Sequence, residues 1–304
     1  MYERYYGLQE RPFDLSPNPR FLCFTAQHRE ALVHLQYGLA GRPGVTMLVG
    51  DAGTGKTTLI RAALQAANGA STIVHLSNPT LTRAEFFDYL ATGFGLSAEA
   101  GKSKVEFLRE LERRLAAADR PMLALVVDEA QSVPYELLEE IRLLTNAEAP
   151  NGHSLAVALV GQPELARRLE EATLRQLKQR VVLRCELTPL TLKDTAAYVS
   201  ARVKTAGGEA TRLFTRDAIV AIHQHSAGIP RVISVICDNA LVNGFAADQR
   251  PVGAHVITEV CRSLALPNSA TRSAPVSVPE NQPVAVMTQA PMFTNVGRRR
   301  FSFF

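Results

Sequence analysis

No window of this 304-residue chain reaches the roughly 18 uninterrupted apolar residues that a membrane helix needs. Its start, MYERYYGLQERPF, lacks the apolar core of a secretory leader. Both absences lead to the expectation of a cytoplasmic protein. None of the four cysteines, Cys23, Cys185, Cys237 and Cys261, stands in a C-x-x-C pair, which argues against a thiolate metal site or a disulfide framework and for buried thiols. The seven histidines have no metal-ligand spacing, and His223 and His225 read as a helix end. No internal repeat is present.

A strong one-signed charge is missing too. The net charge is +4 and the pI about 9.0, but the tail after Pro267 holds Arg272, Glu280, Arg298, Arg299 and Arg300, so the tail carries +3 and the remainder +1. A nearly neutral body gives little support for nucleic-acid binding.

What the chain does have is alternation. GVTMLVG, STIVHLS, MLALVVD, LAVALVG and RVVLRCEL are short Val- and Leu-rich runs with the look of strands buried on both faces. Helical patterns lie between them: TTLIRAALQAA, RAEFFDYLATGF, KVEFLRELERRLAAA and YELLEEIRLLT, the third opened by a capping box of Ser103 and Glu106. Strands alternating with helices predict a parallel sheet covered on both sides. Before it, AQHREALVHLQYGLA reads as a helix closed by Gly41 and Pro43; after Pro189, residues 191–206, 215–226, 231–245 and 254–264 read as helices only. The expected organisation is an N-terminal segment (1–44), an α/β core (45–188), a small all-helical lid (189–265) and a disordered tail (266–304). Tyr198 and the Phe86/Phe87 pair read as core.

Gly50, Gly55, Lys56 and Thr57 satisfy G-x-x-x-x-G-K-[ST], with a strand before and a helix after, the context this phosphate loop requires. A glycine-permitted turn aims backbone N–H groups at a phosphate and the helix N-terminus adds its dipole. Lys56 then reaches the β- and γ-oxygens, and the Thr57 hydroxyl is a ligand for Mg²⁺. The whole loop, Gly50, Asp51, Ala52, Gly53, Thr54, Gly55, Lys56, Thr57 and Thr58, is the expected ATP-binding segment, with Asp51 and Thr54 in its variable positions. LALVVDEAQ then delivers Asp128 to orient Mg²⁺ and Glu129 to polarise the attacking water, so hydrolysis is expected and not binding alone.

Weaker signals follow. Asn78, in VHLSNPT, is placed either to hold Glu129 back or simply to make an Asn-Pro turn. Gln162, after the fourth strand, is a candidate for contact with the γ-phosphate or as a helix cap. Arg180, before the fifth strand, is a candidate to reach a neighbouring subunit's nucleotide, with Arg175 and Arg184 as rivals and an ordinary ion pair as the alternative. Arg231, in SAGIPRVIS, begins a lid helix and is placed to lean on the phosphates.

Phosphate loop, acidic strand, polar residue after the fourth strand, arginine before the fifth and G-x-P-R lid together resemble an AAA+ ATPase over residues 28–265. The stretch YYGLQERPFDLSPNPRFLCFTAQHREALVHLQYGL, with EEIRLLTN and VGQPEL, is similar to the ExeA/GspA-type ATPases of general secretion and their relatives in pilus and exopolysaccharide-export loci. That resemblance implies a Mg²⁺-dependent ATPase and an ATP-driven homo-oligomer. It also implies an envelope-complex partner and an N-terminal stretch covering the adenine side of the site. ExeA-type proteins typically continue into a membrane span and a periplasmic peptidoglycan-binding domain, whereas this chain ends in a short tail, so the expectation is the ATPase module alone. Its final RRRFSFF is either inert or a docking element. The competing reading is a DNA-binding ATPase regulator of transposition, of the TniB/TnsC type.

Overall fold

The computed structural model describes residues 1–15, 19–21, 25–40, 44–67, 71–117, 121–147, 149 and 152–266. The expectations for the tail, for Cys23 and for closure by Gly41 and Pro43 lie outside these residues.

Five strands, β1 (Val45–Gly50), β2 (Ser71–Leu76), β3 (Met122–Val127), β4 (Ala156–Gly161) and β5 (Val181–Leu187), form one parallel sheet in the order β2-β3-β4-β1-β5. Helices follow in chain order as α1 (Tyr2–Tyr6), α2 (Ala26–Leu39), α3 (Lys56–Ala67), α4 (Arg83–Phe94), α5 (Ala98–Lys102), α6 (Lys104–Ala116) and α7 (Tyr135–Leu144). The remainder are α8 (Pro163–Leu169), α9 (Arg175–Gln179), α10 (Leu192–Thr205), α11 (Ala210–Leu213), α12 (Arg216–Ser226), α13 (Pro230–Ala246) and α14 (Ala254–Ser263).

Side chains alternate across the central strands, so each face builds its own core. Met47, Val49, Leu125, Val127 and Leu159 pack with Phe86, Phe87 and Phe107 of α4 and α6 and with Leu138 and Ile141 of α7. On the other face Leu48, Val126, Ala158 and Val160 meet Leu35 of α2 and Leu59 and Ile60 of α3. β1 and β4 are buried along their whole length, and β3 is buried from its second residue. β2 and β5 depart from the expectation of strands buried on both faces. They are the sheet's edges, and β5 turns Val182, Arg184 and Glu186 to solvent. The capping expectation is half met: Ser103 accepts from the Glu106 N–H, but Glu106 turns to Arg109 and Arg113. The complete capping box is Thr82 with Glu85, opening α4.

The helices after β5 enclose a third core, and residues from the start of the chain join it. Tyr2, Tyr6, Leu8, Phe13 and Phe21 are buried among Val203, Phe214, Ile233 and Cys237, each burial contributing about 2 kcal/mol. The Tyr2 hydroxyl donates to Asp238, and the Tyr6 hydroxyl to the Gln249 carbonyl. Thus the aromatic N-terminal stretch includes a short helix, α1, that the sequence pattern did not reveal.

The turn that leads into α13 depends on a glycine. Gly228 has φ 73°, and a Cβ there would lie 2.2 Å from the Leu190 carbonyl oxygen, whose own N–H donates to the Gly228 carbonyl. Gly228→Ala is expected to destabilise the fold by about 2 kcal/mol or more, read as a lower urea midpoint.

Candidate functional site

The sheet order puts β4 between β3 and β1. Gln162, which follows β4, therefore leaves the sheet between the loop after β1 and the acidic pair after β3. That is the carboxyl-end crevice where ligands bind open α/β sheets.

A cleft of about 440 Å³ opens there, lined by Ala52 to Thr58, Glu129 and His28, with Asp14, Leu15 and Phe21 from the N-terminal stretch and Tyr198, Arg202, Arg231 and Ser234 from the lid. Gly53 and Gly55 take φ of 84° and 102°, which β-branched or bulky residues rarely adopt. Lys56 is buried, and its Nζ donates to the carbonyls of Gly50 (2.8 Å) and Asp51 (3.0 Å). Burial lowers its pKa, and the nearby carboxylates of Glu129, Asp128 and Asp51 work against that shift. A desolvated ammonium resting on neutral carbonyls can exchange them for the oxygens of an anion.

The Thr57 hydroxyl donates to Asp128 Oδ2 at 2.9 Å. A hydroxyl and a buried carboxylate, both hard oxygens held in contact, suit Mg²⁺, which is typically held by few protein oxygens and keeps several waters. Asp128 Oδ1 accepts the Glu129 N–H at 2.9 Å, and Glu129 itself has φ 50°.

Glu129 Oε2 accepts from the amide nitrogens of Gln131 (2.5 Å) and Gln162 (3.3 Å). Of its two expected roles Asn78 takes the turn and does not hold Glu129: it is exposed, and its Oδ1 accepts from the Thr80 N–H and hydroxyl. The local Asx turn satisfies it. Arg231 lines the cleft, and its N–H donates to the Gly53 carbonyl at 3.1 Å, so the first turn of α13 rests on the loop.

Arg180 stands apart from these residues. It caps α9 at the amino end of β5, donates to Asn146 and is exposed. Leu187, at the far end of β5, is the residue that pairs with Gly50. Seven residue steps separate them, about 23 Å of extended chain, so Arg180 is out of reach of its own chain's cleft. Arg184 faces Glu186 at 3.9 Å and Arg175 is exposed.

Several site residues escaped the sequence reading. His28 bridges α2 to the loop: Nε2 lies 3.1 Å from the Thr54 carbonyl and Nδ1 2.6 Å from the Thr25 hydroxyl. Because the carbonyl can only accept, Nε2 carries the proton. Burial lowers the His28 pKa, which keeps that neutral tautomer. Arg202 donates to the Pro12 and Asp14 carbonyls and to the Tyr198 hydroxyl, which in turn meets Ser234. Tyr198 is therefore buried as expected but is also part of the cleft wall. Only Gln131 left a signal in the sequence, as a polar residue two positions after the acidic pair.

Comparison with known proteins gives the following. An AAA domain family matches residues 40–169. General secretion pathway protein A of Aeromonas hydrophila is 41% identical over 269 residues, 87% of this chain and 48% of that relative. The chain thus spans about half the length of the curated relative it matches. Among solved structures, the Aeropyrum pernix ORC2 protein in its ADPNP-ADP complexes aligns with a TM-score of 0.61 at 17% identity, over 84% of this chain and 71% of that one. Cdc6p from Pyrobaculum aerophilum aligns at 0.61 and 15%, over 83% and 70%. The Thermotoga maritima RuvB Holliday junction branch migration motor aligns at 0.50 and 15%, over 81% and 71%. At such identities the structural likeness is one of fold.

Proposed function

Because this chain belongs to the AAA+ P-loop ATPases of the General secretion pathway protein A type, we propose that it binds and hydrolyses ATP with Mg²⁺. As a homo-oligomer, it would use that cycle to assemble or remodel a cell-envelope secretion, pilus or polysaccharide-export complex. The observation that carries the reading is one cleft lined by Lys56, Thr57 and Glu129, with Asp128 bonded to the Thr57 hydroxyl.

The chemistry follows from those atoms. The loop N–H groups and the N-terminus of α3 face the β-phosphate, and Lys56 exchanges its two carbonyl acceptors for phosphate oxygens. Thr57 and Asp128 hold Mg²⁺, which when bound neutralises charge building on the phosphate oxygens. Glu129 orients and polarises the attacking water. Gln162 and Arg231 approach the γ-phosphate from the sheet and the lid. Arg180, too far from its own cleft, serves the nucleotide of the neighbouring subunit. Among the described residues no helix is long and apolar enough to cross a membrane; the proposed place of action is the cytoplasmic side, peripheral to the inner membrane.

The test is steady-state ATP hydrolysis by the full chain with Mg²⁺, at two salt concentrations, with and without duplex DNA. Turnover that rises more steeply than linearly with protein concentration and ignores DNA is expected. Stimulation by DNA that fades at higher salt would favour the transposition-type regulator instead. Turnover no greater than that of Glu129→Gln would reject hydrolysis.

A further inference from the structure

Glu129 is not left to find its own position. Its Oε2 accepts from Gln131 Nε2 at 2.5 Å and from Gln162 Nε2 at 3.3 Å, while Gln131 Oε1 accepts the Gln162 backbone N–H at 3.0 Å. Donor and acceptor ends of the Gln131 amide thus have different partners, which fixes its orientation. The Gln131 backbone is held as well, since its carbonyl accepts from Arg168 Nη1 at 2.5 Å and the Arg168 guanidinium stacks 4.5 Å over the Tyr135 ring. The last residue of β4 makes room for this amide. A Cβ at Gly161 would lie 2.7 Å from Gln131 Oε1 and 3.3 Å from its backbone nitrogen.

We propose that Gln131 is a positioning residue that restrains basal hydrolysis by pinning the Glu129 carboxylate toward the start of α8, in register with Gln162. This rests on the reading of Glu129 as the water-polarising residue. With both amides on one carboxylate oxygen, that oxygen is engaged before a water arrives. The clasp shares Gln162: its side chain is one of the two donors to Glu129 Oε2, and its backbone N–H holds Gln131 Oε1. A γ-phosphate that draws in the Gln162 side chain takes one of the two donors off the carboxylate, so the substrate itself weakens the restraint.

The experiment measures kcat and KM for ATP with the full-length Gln131→Ala, Gly161→Ala and double variants, thermal midpoints being recorded for each. Gln131→Ala is expected to raise kcat roughly five-fold, the scale of one relieved hydrogen bond, with KM within about two-fold of wild type. Gly161→Ala, which displaces the same amide, is expected to raise kcat as well, and the double variant to add nothing further. An unchanged or lower kcat in Gln131→Ala at an unaltered midpoint overturns the restraint, and so does full additivity of the two substitutions. Glu129→Gln separates the two ideas: if it retains full turnover, the role of Glu129 itself is wrong. If it is inactive while Gln131→Ala gives no gain, only the restraint is lost.

Discussion

Lys56→Ala is expected to weaken ATP binding by roughly 10²-fold or more, the scale of losing charge-assisted contacts to two phosphate oxygens. The Lys56 Nζ is buried and donates to the Gly50 and Asp51 carbonyls, and burial already disfavours its charge. Such an ammonium contributes little to the fold, because desolvation offsets its attraction to the carboxylates around it. The substitution should therefore leave the midpoint of unfolding without nucleotide almost unchanged and remove the rise in that midpoint that ATP produces in the wild type. Titration calorimetry reads the affinity directly. An unaltered dissociation constant would mean that the loop does not grip phosphate.

Glu129→Gln is expected to lower turnover by roughly 10²-fold or more, the contribution of a positioned general base, while the ATP dissociation constant stays within about three-fold. The change is isosteric and keeps an oxygen to accept from Gln131 and Gln162, so the cleft should not collapse. What disappears is the negative charge facing the water. Single-turnover kinetics separate the chemical step from binding and product release, and full activity in this variant would reject the assignment.

Much of the architecture was legible because it rests on local pattern. Each of the five apolar runs contains an observed strand, and α4 spans the twelve residues of RAEFFDYLATGF. The strand-loop-helix setting of Gly50–Thr57 is likewise written in consecutive residues. Strand order is not, because it depends on crossovers, and this explains why β2 and β5 looked as buried as the central strands. The letters leave Asn78 open between holding Glu129 and making a turn, and the turn is what forms, since an Asn before Pro satisfies itself locally through Thr80. Gln131 reaches Glu129 because φ 50° at Glu129 folds the chain back, a backbone feature the letters do not announce. His28, Arg202 and the lid contacts of Tyr2 and Tyr6 join positions 26 to 243 residues apart. Contacts of that range leave no trace in periodicity.

The burial of Tyr2, Tyr6, Leu8, Phe13 and Phe21 in the helical unit, with α2 on the sheet, has a mechanical meaning. The unit is joined to the sheet by two covalent connections, one between Phe21 and α2 and one between β5 and α10. His28 of α2 is bonded to the Thr54 carbonyl, and Arg231 of α13 donates its N–H to the Gly53 carbonyl. A sheet-bound helix and the helical unit thus rest on neighbouring residues of one loop, so whatever reshapes that loop is felt on both sides at once.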